Sequence, residues 1–171
     1  FNELNTILEI IKRIQNAPFE KEIIVVDDGS TDGTKEVLKQ MQSGDNNFYS
    51  SPLKGEGKGG GEKEEIKIIF KEKNEGKGSA IREGLKSITG DIVIIQDADL
   101  EYYPDEYKSL VQKIIEGKAD VVYGSRFIGT HRVFYLVHYL GNKILNSIVN
   151  IFLNTCLTDL MTGYKVFRRS V

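Results

Sequence analysis

Two carboxylates separated by one residue lie near the middle of the chain, directly after a run of apolar residues. The run is Ile92–Ile95; Asp97 and Asp99 follow it, and Glu101 comes two residues later. An open α/β sheet builds its site at the carboxyl ends of its strands. Carboxylate oxygens suit a hard divalent cation that keeps positions open for substrate phosphates. The motif therefore predicts a metal-bound diphosphate, and its structural alternative is a turn capped by Asp side chains.

A second pair of acids ends another predicted strand. Asp27 and Asp28 follow the β-branched run Ile23–Val26 and precede Gly29. Their carboxylates can accept hydrogen bonds from ribose hydroxyls or from a base amide. The alternative is a turn that uses Asp28 and Gly29 for their backbone tolerance. We expect a nucleoside to bind at this pair.

Two cations stand where phosphate oxygens could bind. Arg126 follows a predicted strand and two small residues, so its guanidinium can hold phosphate oxygens with two parallel hydrogen bonds, or it can form a surface ion pair. Lys77 lies between Gly76 and Gly78 at a predicted helix start, where free backbone amides favour an anion. Close packing of a glycine-rich helix start is the alternative for Lys77.

The stretch from Leu157 to Arg169 holds the remaining candidates. Asp159 is a candidate catalytic base, or a group that orients an acceptor, and Lys165, Arg168 or Arg169 can bind phosphate. Helix capping and solvent exposure are the structural alternatives for these side chains.

Elements of alternating type must position these residues. Helical spacing of apolar residues predicts helices from Leu4 to Ile14, around Val37–Met41, and at about 78–88 and 104–116. Short β-branched runs predict strands at 23–26, 66–70, 92–95 and 121–123. This alternation predicts an α/β fold: a Rossmann-like, mainly parallel sheet with helices on both faces. The three polar loops should then meet along one edge of the sheet.

Length and composition bound the class of protein. The 171 residues, 40% of them apolar, fit one domain, and the net charge of −2 argues against a protein that binds nucleic acid by bulk attraction. The single Cys156 allows no internal disulfide, so we expect a cytoplasmic setting and a small buried side chain there. No apolar run is long enough to span a membrane.

Two segments depart from this regular pattern. Residues 42–65 lose periodicity and become rich in Gly, Lys and Glu, which predicts a flexible loop or insertion. Residues 136–152 form a strongly apolar helix that carries several Asn residues. That helix either packs on the sheet or presents a surface to an apolar acceptor or a membrane interface.

At this point the chain resembles family 2 glycosyltransferases of the GT-A fold, and more narrowly their dolichyl- or polyprenyl-phosphate sugar synthase branch. The resemblance covers almost the whole chain in six ordered blocks: Phe1-Asn2-Glu3, Val26 to Thr34, Asn74 with Gly76-Lys77-Gly78, Asp97 to Glu101 with Pro104, Gly124-Ser125-Arg126, and Thr158-Asp159 with Gly163-Tyr164-Lys165.

The resemblance implies an inverting hexose transfer from a nucleoside diphosphate sugar, UDP-glucose or GDP-mannose, with Mg²⁺ or Mn²⁺. Asp28 would contact the nucleoside, Asp97, Asp99 and Glu101 would organise metal and diphosphate, and Arg126 would face the phosphate region. Many relatives have Gln where Glu101 stands. A lipid-phosphate acceptor is favoured by the apolar segment 136–152, with peripheral membrane contact at the cytoplasmic face.

The resemblance also marks differences and alternatives. Relatives have a strand before Phe1 and further helices after Arg169, so we expect one catalytic domain over 1–171 that lacks its first strand and is cut at both ends. The alternatives are a nucleotide-sugar-binding module without turnover and a transferase that acts on a sugar hydroxyl. A nucleotidyltransferase should carry a glycine-rich basic loop after its first strand, which this sequence does not show.

Overall fold

The computed structural model describes residues 1–43, 66–127 and 136–171. These residues form two compact units, Phe1–Gly90 with Ala98–Leu100, and Asp91–Asp97 with Glu101–Val171. The predicted flexible loop at 42–65 lies outside the described residues, except for its first two positions, which end a helix. The single catalytic domain expected over 1–171 stays a prediction.

The first unit alternates helices with two strands. Its elements are α1 (Ile7–Asn16), β1 (Ile23–Asp27), α2 (Thr34–Ser43), β2 (Ile66–Phe70) and α3 (Lys77–Leu85). Strands β1 and β2 are parallel, and Ile23 pairs with Ile66 and Asp27 with Phe70. The buried core joins one face of α1 to α2 and β2 through Ile7, Ile10, Ile11, Leu38 and Ile68. Asp27 therefore lies at the carboxyl end of a strand that belongs to a packed layer.

Helix α1 begins at Ile7, three residues later than predicted, and ends at Asn16, before Pro18. Ala17 adopts an extended conformation with ψ of 135° and donates its N–H to the carbonyl of Ile14. The residue before a proline avoids the helical region because of its clash with the proline ring, and Pro18 comes next. The helix is amphipathic, and its buried side chains recur at helical spacing.

The second unit contains β3 (Ile92–Ile95), a 3₁₀ turn (Pro104–Glu106), α4 (Tyr107–Ile115), β4 (Val121–Tyr123), α5 (Leu136–Leu153) and β5 (Lys165–Arg168). Its sheet has the order β3-β5-β4, and both pairings with β5 are antiparallel. Helix α4 buries Tyr107, Leu110, Val111 and Ile114, and Val166 of β5 is fully buried.

The direction of the strands places two polar loops together. Because β3 and β4 both run antiparallel to β5, they run parallel to each other. Lys165 pairs with Ile95 on one side and with Tyr123 on the other. The loops that begin at Gln96 and Gly124 therefore leave the same edge of this sheet, beside Lys165, as the sequence predicts.

The predicted α/β class is confirmed, with parallel pairing in the first unit and helices between the strands. Strand β5 is an antiparallel addition that the sequence did not predict, and it separates two strands that were expected to belong to a parallel series.

Helix α5 exposes most of its apolar side chains. Asn146 is its buried residue, whereas Val137, Leu140, Ile144, Ile151 and Phe152 are exposed. Packing of this apolar face on the sheet, one of the two expectations, is therefore wrong. Within residues 1–43, 66–127 and 136–171, no helix combines the length and apolar character of a membrane span.

Cys156 is exposed, which corrects the expectation of a buried thiol. It lies in the segment after α5, next to Leu157, whose N–H and carbonyl hydrogen bond to the Asn150 side chain.

Candidate active site

Asp28 is buried and its carboxylate is fully engaged by the protein. Lys71 Nζ lies 2.6 Å from Oδ1, and the N–H groups of Glu75 and Gly76 donate to the same carboxylate, with Gly76 N at 2.8 Å from Oδ2. Burial alone would raise the pKa of Asp28, but these donors outweigh it and hold the pKa below its ordinary value. Asp28 therefore ties β1 to the turn before α3.

Asp27 is buried as deeply, with 2% of its surface exposed, but its carboxylate is only half used. Oδ2 accepts a hydrogen bond from the N–H of Ser30 at 3.2 Å. Oδ1 has no partner within the described residues. A buried acceptor without a donor is costly, so a ligand donor or a water at this atom would relieve the cost.

Gly29 is required by the turn that follows these acids. Its φ of 72° is left-handed, and a Cβ there would lie 2.6 Å from the carbonyl carbon of Lys73. Only glycine fits such a close backbone approach without displacement.

Lys77 is the first residue of α3, as the sequence predicts. The anion at this turn is the Asp28 carboxylate, because the amide of Gly76 already donates to it. An external anion at the Lys77 helix start would therefore compete with the Asp28 carboxylate for the backbone amide of Gly76.

Asp97 is seated against the loop that precedes β5. A Cβ on Gly163 would lie 2.5 Å from Asp97 Oδ2 and 2.5 Å from Cε2 of Tyr102. The Tyr102 hydroxyl in turn accepts the Gly163 N–H at 2.7 Å. The side-chain amide of Gln96 donates to the Asp97 carbonyl at 2.8 Å and its oxygen accepts from the Tyr107 hydroxyl at 3.0 Å. Glycine at 163 thus leaves room for the carboxylate beside the Tyr102 ring.

The other two predicted metal ligands are placed separately. Asp99 belongs to the short segment Ala98–Leu100 of the first unit, whose two end residues pack on its apolar core, and Glu101 belongs to the second unit. In the described part of the chain, no three His, Cys, Asp or Glu side chains are arranged to hold a metal by themselves. Mg²⁺ commonly uses only one or two carboxylates and completes its shell with water and phosphate oxygens.

Arg126 and Asp159 form a two-point charge pair in the second unit. The guanidinium donates from Nε to Oδ2 at 2.8 Å and from Nη2 to Oδ1 at 3.0 Å, and the backbone N–H of Arg126 donates to Oδ2 at 3.0 Å. Asp159 is 1% exposed. Its burial would raise the pKa, but Arg126 outweighs the burial and holds the pKa of Asp159 below its ordinary value.

The cations of β5 have different surroundings. The Lys165 ammonium donates to the carbonyl of Thr162 and stands 5.2 Å from the ring centre of Tyr123. Arg168 instead pairs with Asp120 at 3.1 Å and donates to the carbonyl of Ile114. The structure therefore brings Arg126 to Asp159, and it gives Arg168 partners at the opposite end of β5.

Sequence reasoning missed several residues that hold this arrangement. Lys71 follows β2 and had no motif to mark it, and its role depends on the parallel pairing with β1. Asn146 hydrogen bonds to both neighbours of Asp159. Its signal was present as polar residues at four-residue spacing in an apolar helix, Asn142, Asn146 and Asn150.

Comparison with known proteins identifies the family. The model of glycosyl transferase family 2 matches residues 1–171. The chain therefore belongs to glycosyl transferase family 2, which confirms the resemblance drawn from its motifs.

The names of two curated relatives include dolichol phosphate or dolichyl phosphate. Dolichol-phosphate mannosyltransferase from Pyrococcus furiosus is 32% identical over 130 residues, which cover 75% of this chain and 31% of that protein. UDP-N-acetylglucosamine–dolichyl-phosphate N-acetylglucosaminyltransferase from Methanococcus voltae is 29% identical over 176 residues, covering 99% of this chain and 67% of that protein. The chain thus spans about a third of the first relative and two thirds of the second.

Solved structures share the fold. Glucosyl-3-phosphoglycerate synthase from Mycobacterium tuberculosis in complex with Mn²⁺, UDP and phosphoglyceric acid has a TM-score of 0.67 at 21% identity, covering 99% of this chain and 53% of that one. A mannosyltransferase from Pyrobaculum calidifontis in complex with GDP-Man and Mn²⁺ has a TM-score of 0.56 at 23% identity, covering 74% and 33%. The fold is therefore the GT-A fold predicted.

Proposed function

We propose that this chain is the catalytic part of an inverting glycosyltransferase that moves a hexose from a nucleoside diphosphate sugar to a polyprenyl or dolichyl phosphate. The observation that carries the proposal is the engagement of Asp159 by Arg126 through both carboxylate oxygens. Asp159 is the acid expected to serve as a base, and a paired carboxylate of lowered pKa is a poor proton acceptor. An acceptor that is already anionic needs no base.

The chemistry is a single displacement. A phosphate oxygen of the lipid attacks the anomeric carbon, the bond between that carbon and the donor diphosphate breaks, and the nucleoside diphosphate leaves with the electron pair. A phosphodiester between sugar and lipid forms with inversion at the anomeric carbon. No proton must be removed from the attacking oxygen.

Donor binding is assigned to Asp27 ahead of Asp28. The resemblance pointed to Asp28 for the nucleoside, but its oxygens accept from Lys71, Glu75 and Gly76. Asp27 Oδ1 is the buried acceptor without a partner in the described residues, and a base amide or ribose hydroxyl suits it. Lys77, Lys165 and Arg168 remain proposed phosphate contacts from the sequence.

A divalent ion, Mg²⁺ or Mn²⁺, is proposed at the Asp97-Ala98-Asp99 motif, with Glu101 as a further ligand. The fit rests on hard oxygen donors and on the seat that Gly163 leaves for the Asp97 carboxylate. When bound, such an ion stabilises the negative charge that builds on a leaving diphosphate. Two relatives of known structure were solved with Mn²⁺, which supports this choice.

The lipid acceptor is supported by the exposed apolar side chains of α5 and by the two relatives named for dolichyl phosphate. We propose peripheral contact of α5 with the cytoplasmic face of a membrane. Burial of the α5 side chains in an interface would remove them from water, which is favourable in proportion to the apolar area.

Calorimetric titration tests the donor and metal site. GDP-mannose, UDP-glucose and UDP-N-acetylglucosamine are titrated with Mn²⁺ and then with a chelator into the wild-type chain and into Asp27→Asn, Asp97→Asn and the exposed control Asp91→Asn. We expect metal-dependent binding of one donor that Asp27→Asn and Asp97→Asn weaken and Asp91→Asn preserves. Binding of no donor would contradict the proposal, and binding without turnover would favour a sugar-binding module.

A further inference from the structure

The pair formed by Arg126 and Asp159 has an unequal exposure that determines what each group can do. The Asp159 side chain is 0% exposed, whereas the Arg126 side chain is 31% exposed. Asp159 uses the Nε–Nη2 edge of the guanidinium, and a guanidinium carries five N–H donors in a planar fork. Nη1 takes no part in this contact. The carboxylate thus fixes the plane of the cation without covering it.

The backbone around Asp159 is held by α5. Asn146 donates from Nδ2 to the carbonyl of Thr158 at 2.7 Å and accepts the N–H of Leu160 at 2.8 Å. These are the two neighbours of Asp159 in sequence. Asn146 is 4% exposed and is the buried residue of α5. A single buried amide therefore clamps the turn that carries the carboxylate.

Two more asparagines extend the clamp along the same face of α5. Asn150 donates to the carbonyl of Leu157 and accepts its N–H, both at 2.8 Å. Asn142 Nδ2 stands 3.5 Å from Asp159 Oδ1, at the long limit of a hydrogen bond. Residues spaced by four lie on one face of a helix, so this face binds the 157–160 turn while Val137, Ile144 and Ile148 face outward.

We infer that Asp159 is a positioning residue, clamped by Asn146 of α5, which sets the Arg126 guanidinium so that its second edge binds the anionic oxygens of the acceptor phosphate. This inference rests on the proposed function for the identity of the anion. It differs from a base role because Asp159 acts through Arg126 and exchanges no proton with the acceptor. It also makes the helix with the exposed apolar face the support of the phosphate-binding cation.

Steady-state kinetics with farnesyl phosphate as the acceptor separate the two roles. For Asp159→Asn we expect the acceptor KM to rise about tenfold or more, as for a lost charge-assisted hydrogen bond, with donor KM unchanged and the shape of the pH profile kept. A general base would instead lower kcat by about 10²- to 10⁴-fold and remove the acidic limb of the profile. That second pattern would overturn the inference.

Arg126→Lys is the companion variant, because it keeps the charge and loses the planar fork. We expect it to reproduce the acceptor KM of Asp159→Asn, and the double variant to add little to either single change. Asp91→Asn, an exposed change in the same unit, should match the wild type. Fully additive effects in the double variant would overturn the inference.

A measurement without substrate keeps the inference separate from the proposed function. In ¹⁵N-labelled protein, the Nε–H signal of Arg126, assigned by its loss in Arg126→Lys, should exchange slowly with water in the wild type and rapidly in Asp159→Asn. Rapid exchange in the wild type would overturn the positioning role. Slow exchange with no transfer to farnesyl phosphate from any donor would keep the positioning role and reject the acceptor.

Discussion

In the described part of each unit a buried aspartate pairs with a cation, Asp28 with Lys71 and Asp159 with Arg126, and the two pairs differ in how accessible the cation remains. In the first unit, Lys71 is 12% exposed and contacts Asp28, Glu75 and Ser79. In the second unit, Arg126 gives one edge to Asp159 and is 31% exposed. The lysine is enclosed by its own unit, whereas the arginine is held in place and remains accessible.

We propose that this difference separates a structural pair from a functional one. Both carboxylates have lowered pKa values, so the pKa direction alone does not distinguish them. Desolvation makes a broken buried pair costly in either place. The two pairs differ instead in how much of the cation remains accessible beside its aspartate. A variant of the Lys71 pair should therefore affect stability, and a variant of the Arg126 pair should affect acceptor binding.

Acid should break both pairs together and gives the largest expected effect. The folded-state pKa values of Asp28 and Asp159 lie below the ordinary 3.8, so each pair contributes stability above that pH. The contribution is lost as the pH falls from 3.8 towards the lower folded-state values. Urea unfolding between about pH 6 and pH 2 should show a falling midpoint, with a shallower fall in Asp28→Asn. A fall of equal steepness in that variant would contradict the assignment.

Asp28→Asn should produce the next largest effect. It removes the buried carboxylate from Lys71, which keeps the half-exposed Glu75 as a partner, and a lost hydrogen bond between charged groups costs about 1.5–3 kcal/mol of unfolding free energy. Urea denaturation measures this cost. Asp27→Asn is the matched control, because its carboxylate makes one hydrogen bond to Ser30, and it should cost less than about 1 kcal/mol. Equal losses in the two variants would reject the contrast between these neighbours.

Gly163→Ala should have an intermediate effect and act on the Asp97 seat. The added Cβ would meet Asp97 Oδ2 and the Tyr102 ring at 2.5 Å, so the carboxylate or the ring must move. Such overpacking costs about 1–3 kcal/mol of stability. Mn²⁺-dependent donor binding should weaken as well. Gly117→Ala is an instructive control, because nothing lies within 4 Å of its Cβ and its strain is purely backbone. Donor binding that survives Gly163→Ala would remove the case for this seat.

Glu9→Gln should have the smallest effect. Glu9 and Arg13 pair at 2.8 Å on the exposed side of α1, with side chains 45% and 33% exposed. Exposed pairs at this helix spacing contribute about 0.3–0.5 kcal/mol. The urea midpoint should therefore shift little, and added salt should erase the shift. A loss comparable to that of Asp28→Asn would show that exposure does not rank these pairs.

Most elements could be predicted from local pattern. Runs such as Ile23–Val26 and Ile92–Ile95 are β-branched and bounded by polar turns, so the strands and the loops after them followed from spacing. Strand β5 could not be predicted in the same way. Its four residues have cations at both ends, and their strand conformation depends on pairing with β3 and β4.

The candidate site was predicted in part. Asp27, Asp28, Asp97, Arg126 and Asp159 were found because they follow strands or belong to family blocks. The separate role proposed for each residue was not predicted, because it depends on which carboxylate oxygens are occupied by hydrogen bonds from the protein itself. That occupation comes from distant residues, Lys71 for Asp28 and Arg126 for Asp159, 43 and 33 positions away.

The most direct measurement is mass spectrometry of products after incubation of the chain with Mn²⁺, farnesyl phosphate and each of GDP-mannose, UDP-glucose and UDP-N-acetylglucosamine. The account predicts a sugar–farnesyl phosphodiester from one donor, absent in Asp97→Asn and reduced in Arg126→Lys. Absence of the phosphodiester with every donor would contradict it.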